Sequence, residues 1–422
     1  MTCLHELERI TDMLIALRCI VCGREYEPVY KLTCDVCGPS EGILDAVYDY
    51  EHARRTLTKE SLASRPMNHW RYREVLPLRG AQVIPPLQVG WTPVYDVPRL
   101  AKHLGVAKLW LKDDGRNPTA SFKDRASSMG VAKALEFGFR TVACASTGNA
   151  ASSLAGFAAA TGLKSFIFVP QRAPEPKVAQ LLLFGATVLR VQGTYDDAYD
   201  LCSAAVERFG WYNRNCAINS YLVEGKKTAG LEIGEQLGAT PPDWVVVSVG
   251  DGCTIAGVWK GLCEMHTLGI LNRLPRLLGV QAEGSPAVAR QFHRGENAPF
   301  DKHEATTVAD SICVAVPRNW RKAVRAVKES HGTYITVSDE EILEALRSTP
   351  RLSGVLGEPA AVASVAGVAK ARQQQIIGPN ESVLAVITGN GLKDIRTAIS
   401  VAGSTHDIPP NIDAVAEVVR KS

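Results

Sequence analysis

A chain of 422 residues is long enough for two or more domains, and 46% apolar with 22% charged residues is an ordinary globular balance. The formal charge of +3 is small for that size, so the composition calls for no nucleic-acid or membrane partner. The start MTCLHELERITDML carries acids and no long apolar run, so no signal peptide is expected, and no stretch reaches the roughly 20 apolar residues of a membrane span. A cytoplasmic protein is expected, its eleven cysteines serving as thiols or metal ligands rather than disulfides.

Leu4, Leu7, Ile10, Leu14 and Leu17 recur at helical spacing and predict a helix over residues 1–18. Cys19-Ile20-Val21-Cys22-Gly23 and Cys34-Asp35-Val36-Cys37-Gly38 follow, in a C-x2-C-x11-C-x2-C pattern. Two such knuckles, each followed by glycine, let four thiolates converge on one zinc ion. With no spare histidine or carboxylate nearby, Cys19, Cys22, Cys34 and Cys37 read as a structural zinc ribbon; a ribbon of metal-free thiols is the other reading. Few basic residues lie between Arg24 and Lys31, which argues against nucleic acid. The other seven cysteines are scattered singly, and buried packing is expected of them. Residues 45–80 are charged and aromatic and read as an extension. Prolines from Gln82 to Val94 predict an extended lead-in with turns.

Beyond residue 94, short apolar strands alternate with helices. Strands are expected at Lys108–Lys112, Thr141–Ala145, Ser165–Val169, Thr187–Val191, Trp244–Val249, Leu277–Ala282 and Ser382–Ile387. Helices are expected at about Phe122–Phe137, from Asn149 to Ala160, at Glu175–Phe184, at Tyr195–Phe209, after Thr254 and at Ala360–Gln373. That alternation predicts an α/β architecture with parallel sheets.

Ligands of open α/β sheets bind past the carboxyl ends of strands. Four loops in such places are rich in small polar residues. In Asn117-Pro118-Thr119-Ala120-Ser121-Phe122-Lys123-Asp124-Arg125, Ser121 is a candidate N-cap, and Lys123 by itself reads as a surface lysine of the first helical turn. In a desolvated pocket the same lysine forms a Schiff base with an aldehyde. Ser146-Thr147-Gly148-Asn149-Ala150 enters a helix with free amides, a nest suited to a carboxylate. Gly250-Asp251-Gly252-Cys253-Thr254 suits a phosphate dianion, although Asp251 repels one unless it points away. Thr388-Gly389-Asn390-Gly391 ends the last strand with a hydroxyl that can face a pyridine nitrogen. Each loop is common alone. Together they supply what a pyridoxal phosphate site needs.

WRYREVLPL, GWTPV, NPTASFKDR, ASTGNAA, EGKKTAGLEI, SVGDGCTIAG, GVQAEGS, GEPAAVAS and TGNGLKD follow the amino-terminal CxxCG pairs in that order. In these motifs the chain resembles the threonine synthases, within the fold-type II pyridoxal-phosphate enzymes related to the tryptophan synthase β subunit. The resemblance implies an enzyme with two open parallel-sheet α/β domains and a zinc-ribbon-like extension. Residues 1–78 would form the extension, 79–130 with 225–422 the large cofactor-binding domain, and 131–224 a smaller domain. It implies Lys123 as Schiff-base residue and proton shuttle, Asn149 on the cofactor's 3′ oxygen, Gly250 to Thr254 around its phosphate and Thr388 at its ring nitrogen. Ser146, Thr147, Asn149 and Ala150 would hold the substrate α-carboxylate, with Ser121 and Arg125 contributing to the same pocket and Glu358 near the ring edge. A homodimer acting on a small amino acid is also implied.

One position departs from the family's pattern. The segment usually reads like NPxRxEGQKT, with its arginine associated with the substrate's phosphate; here Leu222 stands there. Lys226, Arg125, Arg71 or Arg73 are the candidate replacement cations. The leading expectation is conversion of O-phospho-L-homoserine and water to L-threonine and phosphate. Leu222 motivates an alternative: a related lyase or β-replacement enzyme acting on serine, threonine, O-phosphoserine or a specialised amino acid. A silent binding scaffold is disfavoured by the intact lysine and loops.

Overall fold

The computed structural model describes residues 13–80, 83–173, 175–296, 298–300 and 304–421. Strand β1 (Leu14–Cys19) pairs antiparallel with β2 (Glu25–Tyr26) and β3 (Leu44–Tyr48). Leu14 and Leu17, expected on a helix, therefore lie on a strand; Leu4, Leu7 and Ile10 fall outside the described residues. Spacing alone could not separate the two readings, and pairing decides: Leu17 sits opposite Ala46 on one side and Tyr26 on the other. Leu17, Leu44 and Tyr48 bury their side chains against Tyr221 of the main body. Lys260 and Lys322 reach into β3, binding the Asp45 carboxylate and the Ala46 and Leu44 carbonyls at 2.7–3.2 Å.

The largest sheet has the order β12-β11-β10-β13-β5-β4, built from β4 (Val94–Asp96), β5 (Lys108–Asp113), β10 (Trp244–Ser248), β11 (Arg276–Ala282), β12 (Thr333–Val337) and β13 (Ser382–Ile387). Only the edge strand β4 runs antiparallel. Every residue of β10 is buried, as expected of a strand covered by helices on both faces. A second, wholly parallel sheet has the order β8-β7-β6-β9, from β6 (Thr141–Ala145), β7 (Lys164–Pro170), β8 (Thr187–Val191) and β9 (Tyr212–Asn213). In sequence it falls between β5 and β10, so the chain leaves the large sheet, builds the small one and returns.

Two helices carry that passage, Lys123–Glu136 outward and Ser220–Leu237 back. They pack closely because Gly225 has no side chain: a Cβ there would lie 2.1 Å from the Arg125 carbonyl oxygen. Arg125 is fully buried between them. Its guanidinium pairs with Asp114 at 2.6 Å and Glu232 at 2.6 Å, and Lys112 adds a second cation to Glu232 at 2.7 Å. The knot ties the end of β5 to both helices.

Candidate active site

The four polar loops meet on one cavity of about 640 Å³. The loop after β5 is closed by the helix that follows it: the Thr119 amide donates to Asp124 Oδ2 at 2.6 Å, and the Thr119 hydroxyl bonds the other carboxylate oxygen. Ala120 makes the reversal at φ 63°. Phe122 N then donates to the Thr388 carbonyl at 2.8 Å and Asn390 N to the Ala120 carbonyl at 3.0 Å, joining this loop to the one after β13. Lys123 and Thr388 thereby share the cavity wall. Burial, then the neighbouring Lys226 cation, push the Lys123 pKa down to about 8, against the pull of Glu358.

Asn149 begins its helix (Asn149–Thr161) after Gly148, which offers no side-chain cap, so the first amides stay open to a ligand. Ser146, Thr147 and Ala150 line the same wall. Asn149 Nδ2 donates to Glu358 Oε1 at 2.7 Å and to Ser311 Oγ at 3.3 Å. Burial raises the Glu358 pKa, opposed by that Asn149 bond and by Lys123.

The Cys253–Thr267 helix starts on Gly252 at φ 93°, again with no side-chain cap. A Cβ on Gly252 would lie 2.7 Å from Ala323 Cβ, so glycine is required twice over. Asp251 is turned toward the next loop: its Oδ1 accepts from Arg318 N at 3.3 Å. Gly250, Gly252, Cys253 and Thr254 line the cavity with it. An uncapped helix terminus for a phosphate, a lysine amine of lowered pKa and a neutral hydroxyl in one cavity fit pyridoxal phosphate.

Two expected contacts lie elsewhere. Arg125 does not reach the cavity, because Asp114 and Glu232 hold its charge. Ser121 is not the N-cap, a position that falls to Phe122. It is fully buried, bridges Gly389 through its backbone and has no partner for its hydroxyl among the described residues.

Two buried cations line the cavity. Arg214 follows β9, is 3% exposed and donates to Ser127 Oγ from Nε at 3.2 Å and Nη2 at 3.0 Å. Lys226 lies on the returning helix, also 3% exposed, and both line the cavity. Burial draws the Lys226 pKa down, but the charges of Cys216 and Cys253 outweigh it and the net shift is upward. Leu222 does not line the cavity. It packs on the Lys123 helix, where a Cβ on Gly130 would lie 2.3 Å from Leu222 Cδ2. A cation at 222 would have no room beside that helix, and Arg71 is held by Glu235 at 2.7 Å. Lys226 is legible in the sequence as a candidate cation; Arg214 is not, since the two-residue β9 carries no periodic signal that marks the loop after it.

The Cys19, Cys22, Cys34 and Cys37 sulfurs all lie within 4.8 Å of one another. Gly23 and Gly38, both at φ 73°, turn the knuckles, donating to the Cys19 and Cys34 carbonyls at 3.0 Å. Four thiols at such spacing fit tetrahedral zinc, whose bonds to sulfur are about 2.3 Å. Among the described residues no helix is long and apolar enough to cross a membrane.

The family described as "Pyridoxal-phosphate dependent enzyme" matches residues 86–389. A threonine synthase of Methanosarcina acetivorans is 41% identical over 407 residues, covering 96% of this chain and 98% of that protein. A threonine synthase of Methanocaldococcus jannaschii is 36% identical, covering 96% and 99%. Among solved structures, threonine deaminase isoform 2 of Solanum lycopersicum has a TM-score of 0.62 at 21% identity, covering 74% of this chain and 83% of that one. Maize serine racemase has a TM-score of 0.62 at 21% identity, covering 71% and 88%. The structures share the fold; the sequence likeness runs through the ribbon as well as both sheets. The chain belongs to the pyridoxal-phosphate-dependent enzymes of fold type II and, among them, to the threonine synthase family.

Proposed function

We propose that the chain converts O-phospho-L-homoserine and water to L-threonine and phosphate by γ-elimination and β-addition. The observation that carries this reading is a pair of buried cations, Arg214 and Lys226, on the cavity wall. Lys123, Arg214 and Lys226 face one cavity. With the cofactor's phosphate on the Gly250–Thr254 amides, Arg214 and Lys226 are left for a second phosphate, that of the substrate. A serine or threonine substrate would bring no second phosphate for them to hold.

Bound pyridoxal phosphate supplies the electron sink that makes the substrate's α proton acidic. Lys123 Nζ holds the cofactor and then carries the α proton. Asn149 orients the ring through its 3′ oxygen, and Glu358 holds the Asn149 amide in place. The Ser146–Ala150 amides hold the α-carboxylate. Thr388 presents a neutral hydroxyl to the ring nitrogen, which favours elimination and replacement over transamination. Residues 131–224, as a smaller domain against 79–130 and 225–422, would close on substrate and exclude bulk water until the β carbon is attacked.

Purified holoenzyme given O-phosphohomoserine should release phosphate and threonine in equal amounts. Keto acid formed from serine or threonine, with no phosphate from O-phosphohomoserine, would refute the reading. The anion subsite has its own test. Lys226→Met and Arg214→Met should each raise KM for O-phosphohomoserine about 10- to 100-fold, the size of a lost charged hydrogen bond, with cofactor affinity little changed. An unchanged KM with weakened cofactor binding would move these cations to the cofactor.

We further propose that the four ribbon thiols hold one structural zinc ion and that the enzyme is a cytoplasmic homodimer. The convergence of the four sulfurs supports the metal, and likeness to the threonine synthases supports the assembly. Metal analysis and sedimentation of one sample should find one zinc per chain in a particle of twice the chain mass. A metal-free monomer with full activity contradicts both.

A further inference from the structure

Four cysteines outside the ribbon line the cavity: Cys144, Cys216, Cys253 and Cys313. Two of them form a pair whose thiols have no part in the reaction. Cys216 lies between β9 and the Ser220–Leu237 helix, and Cys253 is the first residue of its own helix. The two side chains pack together with Ala217 and Val223. The Lys226 and Arg214 cations line the same cavity wall. Cys216 is partly open to the cavity, whereas Cys253 is 1% exposed.

This environment separates Cys216 from the other thiols. The neighbouring Cys253 thiol and then the two cations hold its pKa well below the ordinary cysteine value, despite burial. Burial pushes Cys144 up to about 11 and also raises Cys313. A thiolate is the nucleophilic form, and nearby cations are what sustain one.

We propose that Cys216 is a modification site, a nucleophilic thiolate that peroxides reach through the substrate cavity, with Cys253 as its resolving partner. The Cys216 thiolate attacks one oxygen of hydrogen peroxide; the O–O bond breaks, hydroxide leaves and Cys216 becomes a sulfenic acid. The Cys253 thiol then attacks that sulfur. An S–S bond forms, the S–O bond breaks, and the oxygen leaves as water with the thiol proton. Two electrons pass from the thiols to the peroxide. The disulfide would bind the loop beside Arg214 to the first turn that cradles the cofactor's phosphate. It would also remove the anion facing Lys226.

The test uses holoenzyme treated with hydrogen peroxide, alkylated and digested without reduction. Mass spectrometry should find a peptide joining Cys216 to Cys253 before Cys144 or Cys313 is oxidised. The cofactor absorbance should change in step and return with dithiothreitol, a readout independent of which substrate the enzyme uses. Relative to its own untreated activity, Cys216→Ser should be inactivated roughly tenfold more slowly than the native chain. First oxidation at Cys144 or Cys313 without the joined peptide would overturn the assignment, as would inactivation of Cys216→Ser at the native rate.

Discussion

Lys123→Ala should bind pyridoxal phosphate without forming a covalent bond to it and should lose on the order of 10³-fold or more in turnover, because the variant lacks both the anchor and the proton carrier. Borohydride reduction followed by peptide mapping reads the first effect directly: label should attach to Lys123 in the native chain and nowhere in the variant. The lowered pKa adds a second reading. The nucleophile is the neutral amine, so capture of the aldehyde by apoenzyme should speed up as pH rises and level off above about 8, well below the ordinary lysine value of 10.5. A capture rate still rising steeply at pH 10 would show that Lys123 is not desolvated as the cavity requires. Labelling of Lys226 instead would exchange the roles of the two lysines.

Arg125→Met should lower stability by about 3–5 kcal/mol, as breaking a buried ion pair leaves its carboxylates uncompensated. Asp114 and Glu232 would lose the guanidinium that bridges them, and Lys112 cannot serve both, since its ammonium is already bonded to Glu232, the Thr92 carbonyl and Gln236. Arg125→Lys should recover little, because a single ammonium cannot reproduce bonds from Nε, Nη1 and Nη2. Denaturant unfolding measures the loss. A variant of native stability with a raised KM would instead restore Arg125 as a substrate contact. The same knot has an acid limit. Burial alone would raise the Glu232 pKa, but Arg125 and Lys112 hold it far below the usual 4.5. Its contribution is therefore complete above pH 4.5 and is lost as pH falls toward the depressed folded value.

These two residues, two positions apart on one helix, show what sequence conveys and what it does not. Lys123 was legible because four separate loops each carried the right chemistry in the right order, and strands such as Thr141–Ala145 and Thr187–Val191 have apolar runs bounded by turns. Arg125 carries no local mark of its burial; its partners come from Asp114 and from Glu232, far along the chain. Leu222 stands in the sequence where the family carries a phosphate ligand, but its environment is set by Gly130 on the packing helix. The helical spacing of Leu14 and Leu17 was equally misleading, since β1 takes its conformation from β2 and β3. Arg214 and the thiol pair of Cys216 and Cys253 follow from tertiary proximity alone. Of the two cavity cations, Lys226 is thus legible in the segment that carries Leu222, whereas Arg214 is not.

The route of oxygen tests the central claim most directly. Holoenzyme turning over O-phosphohomoserine in ¹⁸O-water should place the label in the threonine hydroxyl and none in the released phosphate, because phosphate leaves by C–O cleavage before water adds at the β carbon. Label in the phosphate, with homoserine as co-product, would mean hydrolysis at phosphorus and would contradict the roles assigned to Lys123, Arg214 and Lys226.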